Sequence, residues 1–174
     1  MSLQEFLQGL PADLNLCPIE RKGVGNSTGK KPIYKYRDQN LNGHQVVDLM
    51  EKDSTISAAG VWCGTKNNGL VILDVDHRLH MLKRDKSKPL GNPPVITSTR
   101  EDAAKFVYRV PREQISSVTG LVVEKGGGWS GEIIWANQGV IAGVYPGNAD
   151  GSPAGEYKLT SGSFDDIPEA PAWL

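Results

Sequence analysis

The sequence predicts a single α/β domain of the α+β kind, a mostly antiparallel sheet flanked by a few helices. Three observations lead there. The chain has 174 residues, enough for one full-sized core, and nothing in that length requires a second domain. Apolar residues make up 39% and charged residues 22%, spread through the chain rather than blocked, which is globular and not disordered composition. Short β-runs separated by turn residues dominate the second half.

Taken in order, Ser2 and Glu5 have capping-box spacing, and Phe6 with Leu10 supplies an apolar face, so residues 2–9 read as a short helix ended by Pro11. Residues 21–32 are rich in breakers and read as an exposed loop. Val46, Val47, Leu49 and Met50 mark a second helix. Strands are expected at 58–63 and 69–76, joined by Thr65-Lys66-Asn67-Asn68-Gly69 in a connection suited to a hairpin. Further strands are expected at 94–98, 104–110, 120–124, 131–137, 139–145 and 155–160. Turns fall at Asn137-Gln138-Gly139 and through Gly147 to Gly155. Pro168, Pro171 and Trp173-Leu174 read as an exit segment, with more chain expected beyond Leu174.

The bulk properties exclude several classes. Net charge is −1, so the domain as a whole does not attract a polyanion strongly. Charge is uneven, however: Arg78, Lys83, Arg84, Lys86 and Lys88 stand against Asp85, six bases lie between 20 and 37, and the stretch from Asp150 onward is acidic. These bases read either as a basic cleft facing phosphates or as solvated loops. No apolar run is long enough to span a bilayer and the start is not that of a signal peptide, so a cytoplasmic location is expected. Cys17 and Cys63 have no metal-site or disulfide spacing. Gly25-Asn26-Ser27-Thr28-Gly29-Lys30-Lys31 resembles a P-loop but is one residue short, carries Lys31 where the hydroxyl belongs, and follows no apolar strand. Gly126-Gly127-Gly128 lacks dinucleotide-site spacing.

The residues with chemical potential lie elsewhere. Leu70-Val71-Ile72-Leu73-Asp74-Val75-Asp76 is an apolar β-run ending in two acids one residue apart, which puts both carboxylates on one sheet face. Like charges about 6–7 Å apart repel, and a divalent cation removes that penalty. Magnesium takes oxygen ligands and keeps room for substrate phosphates, as nucleotidyl transfer requires. On spacing alone the pair reads equally as the solvated tip of a strand. Lys105 and Arg109 share one face of the run at 104–110, and Ser98 and Arg100 precede it. Hydroxyl, ammonium and guanidinium groups suit phosphate oxygens, while a solvated strand face is the alternative. Glu132 in Gly131-Glu132-Ile133-Ile134-Trp135 is a candidate third acid from a neighbouring strand.

In this order the pieces resemble the prim-pol domain of the archaeo-eukaryotic primase superfamily, found at the N-terminus of plasmid, phage and mobile-element replication proteins. The resemblance is carried by Gly29-Lys30-Lys31-Pro32-Ile33-Tyr34, a strand ending at Val61-Trp62-Cys63-Gly64, the first motif ending in Asp74-Val75-Asp76, Pro94-Val95-Ile96-Thr97-Ser98, and Gly131-Glu132-Ile133-Ile134. It implies a primase-like fold and a metal-dependent DNA primase/polymerase that uses Mg2+ or Mn2+ held by Asp74, Asp76 and Glu132. Ser98, Arg100, Lys105 and Arg109 are then the nucleotide and phosphate contacts. The implied partners are nucleoside triphosphates, a single-stranded DNA template and a helicase domain beyond the C-terminus. The sequence departs at the second motif, whose hallmark is a histidine: none follows His80, and Lys105 falls close to its place. A catalytically degenerate domain that binds nucleotide or single strands is therefore the alternative implied, with a metal-dependent nuclease as a third.

Overall fold

A central strand that is apolar on both faces needs covering from two sides, and the rest of the chain supplies both covers. The computed structural model describes residues 1–118, 123–124, 128–145 and 155–174. Helix α1 (Leu3–Gln8) starts at Ser2, whose hydroxyl accepts the Glu5 N–H while the Glu5 carboxylate accepts the Ser2 N–H. Helix α2 (Gly43–Lys52) repeats the device with Asn42 and Gln45. The two helices cross at Gly43, where a Cβ would come within 1.7 Å of the Leu7 carbonyl oxygen, so only glycine permits that approach.

The strands are β1 (Leu16–Glu20), β2 (Ile56–Trp62), β3 (Leu70–His77), β4 (Val95–Thr97), β5 (Ala104–Arg109), β6 (Val123–Glu124), β7 (Ser130–Ile134), β8 (Gln138–Tyr145) and β9 (Gly155–Ser161). They form one sheet in the order β1-β2-β8-β9-β4-β5-β3-β7-β6, with every strand-to-strand pairing antiparallel. This is the expected α+β architecture. Leu70 and Ile72 join a core built with α1, α2, β1, β2 and β8, including Leu7, Leu14, Val46, Val61 and Ile141. Val71, Leu73 and Val75 point the other way, into a core with Phe106, Tyr108, Trp129 and Trp135. Helix α3 (Leu79–Arg84) closes this second core with Leu79 and Leu82.

Several sequence expectations are corrected. Residues 58–63 and 69–76 do not form a hairpin: β2 pairs with β1 and β8, whereas β3 pairs with β5 and β7. A short 3-10 helix (Thr65–Asn67) and left-handed Asn68 turn the chain away, leaving a lone bridge between Gly64 and Leu70. Strand β1 escapes sequence reading because it contains Pro18, which is tolerated because β1 lies at an edge of the sheet. The basic run from Arg78 is not a loop throughout, since part of it is α3. The expected strand at 120–124 and the turn after Gly147 lie largely outside the described residues. Residues 168–174 pack back on the body: the Arg109 N–H donates to the Pro168 carbonyl (2.9 Å), and Trp173 Nε1 to the Pro89 carbonyl (2.8 Å).

Asn67 locks the β2–β3 connection. It is 2% exposed, accepts the Asn15 N–H (2.7 Å), and donates to the carbonyls of Asn15 (2.8 Å) and Trp62 (2.7 Å). Truncation leaves those backbone groups without their partners, so Asn67→Ala should lower unfolding free energy by about 2–4 kcal/mol. Urea denaturation checks this; a midpoint within error of the parent would show that the lock contributes nothing.

Candidate functional site

The sheet register brings the candidate charges together. Asp74 on β3 sits directly opposite Lys105 on β5 and Glu132 on β7. Three adjacent strands therefore carry a cation and two acids in one row. The Lys105 ammonium donates to Asp74 Oδ2, and both side chains are largely buried, at 10% and 16% exposure. Two residues further along the same face, Asp76 is 46% exposed and accepts from Arg100 Nη1 at 2.7 Å. The row thus runs from the edge of the core outward into solvent.

Glycine brings β7 close enough to complete the row. A Cβ on Gly131 would lie 2.4 Å from the Asp74 carbonyl oxygen, so a larger residue would push β7 and Glu132 away from β3. Burial, followed by the Asp74 and Asp76 carboxylates, raises the Glu132 pKa, against the opposing pull of Lys105 and Lys30. These groups open onto a cleft of about 300 Å³ lined by Asp74, Asp76, Ser98, Arg100, Lys105 and Glu132 among others. Six of the seven site candidates from the sequence therefore meet in one place.

Arg109 does not join them. Because β5 runs antiparallel to β3, Arg109 pairs with Leu70 while Lys105 pairs with Asp74. Four residues of strand separate the two cations by roughly 13 Å. The Arg109 guanidinium instead donates to the carbonyls of Asn67 (2.6 Å) and Asn68 (3.3 Å), bracing the turn before β3. The run Arg78 to Lys88 also contributes nothing to the cleft lining. Of the six bases between 20 and 37, which in sequence read as either a basic cleft or a solvated loop, Lys30 is not singled out as a site residue, yet it lines the cleft with Gln138 and Tyr157. Lys30 lies in the stretch set aside as a failed P-loop. Gln138 lay in a presumed turn, and Tyr157 carried no motif; its ring centroid is 5.6 Å from Lys105 Nζ.

The donor chemistry of the three carboxylates suits a hard divalent cation, since all are oxygen ligands beside an open cleft. Their side chains are not drawn into a closed ligand set: among the described residues, no three His, Cys, Asp or Glu side chains gather as a metal-holding group. Lys105 and Arg100 provide the positive charge beside Asp74 and Asp76 instead. Cys17 and Cys63 are buried, and burial pushes the Cys17 thiol up to about 12, so neither supplies a thiolate ligand.

The family described as bifunctional DNA primase/polymerase, N-terminal (Prim-Pol), matches residues 10–173, nearly the whole chain. The chain belongs to this family. No curated protein matches it. At the level of the family, a Prim-Pol domain is a DNA primase/polymerase-type nucleotidyltransferase that binds nucleotide and DNA. Among the described residues, no helix is long and apolar enough to cross a membrane.

The raised Glu132 pKa carries a stability signature. A carboxyl whose folded pKa exceeds its unfolded value costs stability as pH rises past the unfolded value, and costs nothing while protonated in both states. Glu132→Gln should therefore raise the Tm of the metal-free domain at pH 7, with the gain vanishing below about pH 4. Thermal melts at the two pH values check this; equal shifts at both would show that charge is not the cause.

Proposed function

We propose that this Prim-Pol domain performs metal-dependent nucleotidyl transfer, adding nucleotides along a single-stranded DNA template. The observation that carries the reading is the single cleft in which Asp74, Asp76 and Glu132 meet Lys30, Arg100 and Lys105. Magnesium or manganese at the carboxylates would supply charge stabilisation to the transferring phosphoryl group. The protein's own part is positioning and electrostatics. Lys105 and Arg100 pair with Asp74 and Asp76 at the cleft, and in this reading both turn toward the triphosphate as it enters. Ser98 adds a hydroxyl at the cleft wall, where its Oγ accepts the Arg100 N–H at 3.3 Å and so holds the turn that carries Arg100.

Lys105 stands near the place of the second-motif histidine. An ammonium offers three donors and a fixed charge but no acceptor, so it can grip phosphate without relaying a proton as imidazole does. By its resemblance to the domains that open plasmid, phage and mobile-element replication proteins, the activity would serve replication of such an element, beside a helicase. One observation favours a second reading: Lys105 already occupies the central carboxylate, Asp74. A domain that retains this pair when nucleotide binds would hold nucleotide without turnover.

Asp74→Asn should reduce metal-dependent incorporation on a primed or unprimed single-stranded template by at least about 100-fold, several kcal/mol in the barrier, while circular dichroism stays native. Extension assays with labelled nucleotides and magnesium or manganese check this. Undiminished synthesis by the variant would remove Asp74 from the mechanism. Absence of synthesis by the parent, with nucleotide still bound, would favour the binding module.

A further inference from the structure

Lys30 reaches the cleft from the loop between β1 and α2, far from the strands that carry the other charges. A lysine in so glycine-rich a loop would ordinarily sample many positions, yet its surroundings restrain it on both sides. Before it, the Gly29 N–H donates to Ser27 Oγ (3.1 Å), and that hydroxyl donates to the Glu20 carbonyl at the end of β1 (3.0 Å). After it, Pro32 bridges Ile19, and the Ile33 N–H donates to the Pro18 carbonyl (3.1 Å). The Lys30 carbonyl itself accepts from Gln138 Nε2 at 2.6 Å.

That last contact is built into the sheet. Gln138 opens β8 beside β2, and its amide oxygen lies where a side chain at Gly60 would stand: a Cβ there would be 2.3 Å from Gln138 Oε1 and 3.0 Å from Cys17 Sγ. Burial keeps the Cys17 thiol protonated, and it points its weak donor at Gln138 Oε1, 4.0 Å away. The thiol side therefore takes the amide oxygen and leaves the NH2 group for Lys30. Electrostatics place the Lys30 ammonium in the same field as the rest of the site: burial lowers its pKa, then Lys105 and Arg100 lower it further, while Asp74 and Asp76 oppose them.

Charge balance says what such a group is for. Three acids and three cations line the cleft, so it is formally neutral. Divalent cations at the carboxylates would leave it positive, and a triphosphate brings a comparable negative charge. We propose that Lys30 is a triphosphate-binding residue of this site and that Gln138 is its positioning residue, acting through the Lys30 carbonyl across the gap left by Gly60. This rests on the nucleotide-binding reading above.

The test is equilibrium binding of dATP and dAMP, with magnesium, to the purified domain and to Lys30→Met, Lys30→Arg, Gln138→Ala and the Lys30→Met/Gln138→Ala double variant. Lys30→Met should weaken dATP binding about tenfold or more, the loss of one charge-assisted contact, and change dAMP binding less than about twofold. Lys30→Arg should recover most of the dATP affinity. Gln138→Ala should give a smaller loss for dATP alone, and the double variant should bind no more weakly than Lys30→Met, because the two residues act as one unit. If the parent prefers dATP over dAMP and Lys30→Met keeps that preference, Lys30 is not the phosphate contact. Additive losses in the double variant would refute the positioning role of Gln138. A parent that binds neither nucleotide would overturn the nucleotide-binding reading itself, and this proposal with it.

Discussion

A carboxylate on the central strand of a sheet must have its charge answered, and Asp74 is answered from the neighbouring strand. The Lys105 ammonium lies directly across from it, and both side chains sit largely inside the protein. Breaking such a pair by removing one partner strands a charge in low dielectric, whereas the intact pair is tolerated. The pair works only if β3 and β5 keep their register, because a slip of one residue would send every side chain of β3 to the opposite face. The apolar residues of β3 enforce that register. Ile72 and Leu73 belong to different cores, and a slip would turn Asp74 and Asp76 into the apolar core that now holds Leu73 and Val75.

The cleft follows from where that apolar strand runs out. Leu70 and Ile72 point toward the core beneath α1 and α2, and the next two positions on that face are Asp74 and Asp76. The carboxylates therefore emerge at the boundary between packed interior and solvent, with Asp74 inside and Asp76 outside. Burial strengthens electrostatic interactions and openness admits a ligand, and this boundary provides both. Gly131 serves the same arrangement from β7 by letting the strand approach closely enough for Glu132 to stand beside Asp74. Burial first, and then the charges of Asp74 and Asp76, hold the Glu132 pKa up at this boundary.

Family membership and geometry meet at one departure. The Prim-Pol match covers residues 10–173; the resemblance implies a histidine in the second motif, whereas no histidine follows His80 and Lys105 falls close to that place. In this structure that lysine is the residue that neutralises Asp74. Histidine can be neutral and can accept a hydrogen bond; lysine can do neither while charged. The resting state of Asp74 is thus tied to a cation supplied by the protein.

Much of the site was legible without coordinates. An unbroken apolar run from Leu70 to Leu73 marked a buried strand, and the spacing of Asp74 and Asp76 put both acids on one face, because the period-two geometry of a strand is a local property of the chain. Ser98, Arg100, Lys105 and Glu132 were recognisable as candidates by residue type and by their order around that strand. What the sequence by itself determined was therefore the set of strands and the chemistry each could offer. Only the tertiary structure decided which offers meet. Strand order and register lie in hydrogen bonds between residues far apart in the chain, so the sequence could neither separate Arg109 from Lys105 nor keep β2 from pairing with β3. Nor could the sequence pick Lys30 from the six bases between 20 and 37, for the same reason: its place in the cleft depends on a Gln138 amide crossing Gly60, a contact spanning more than a hundred residues that no local pattern encodes.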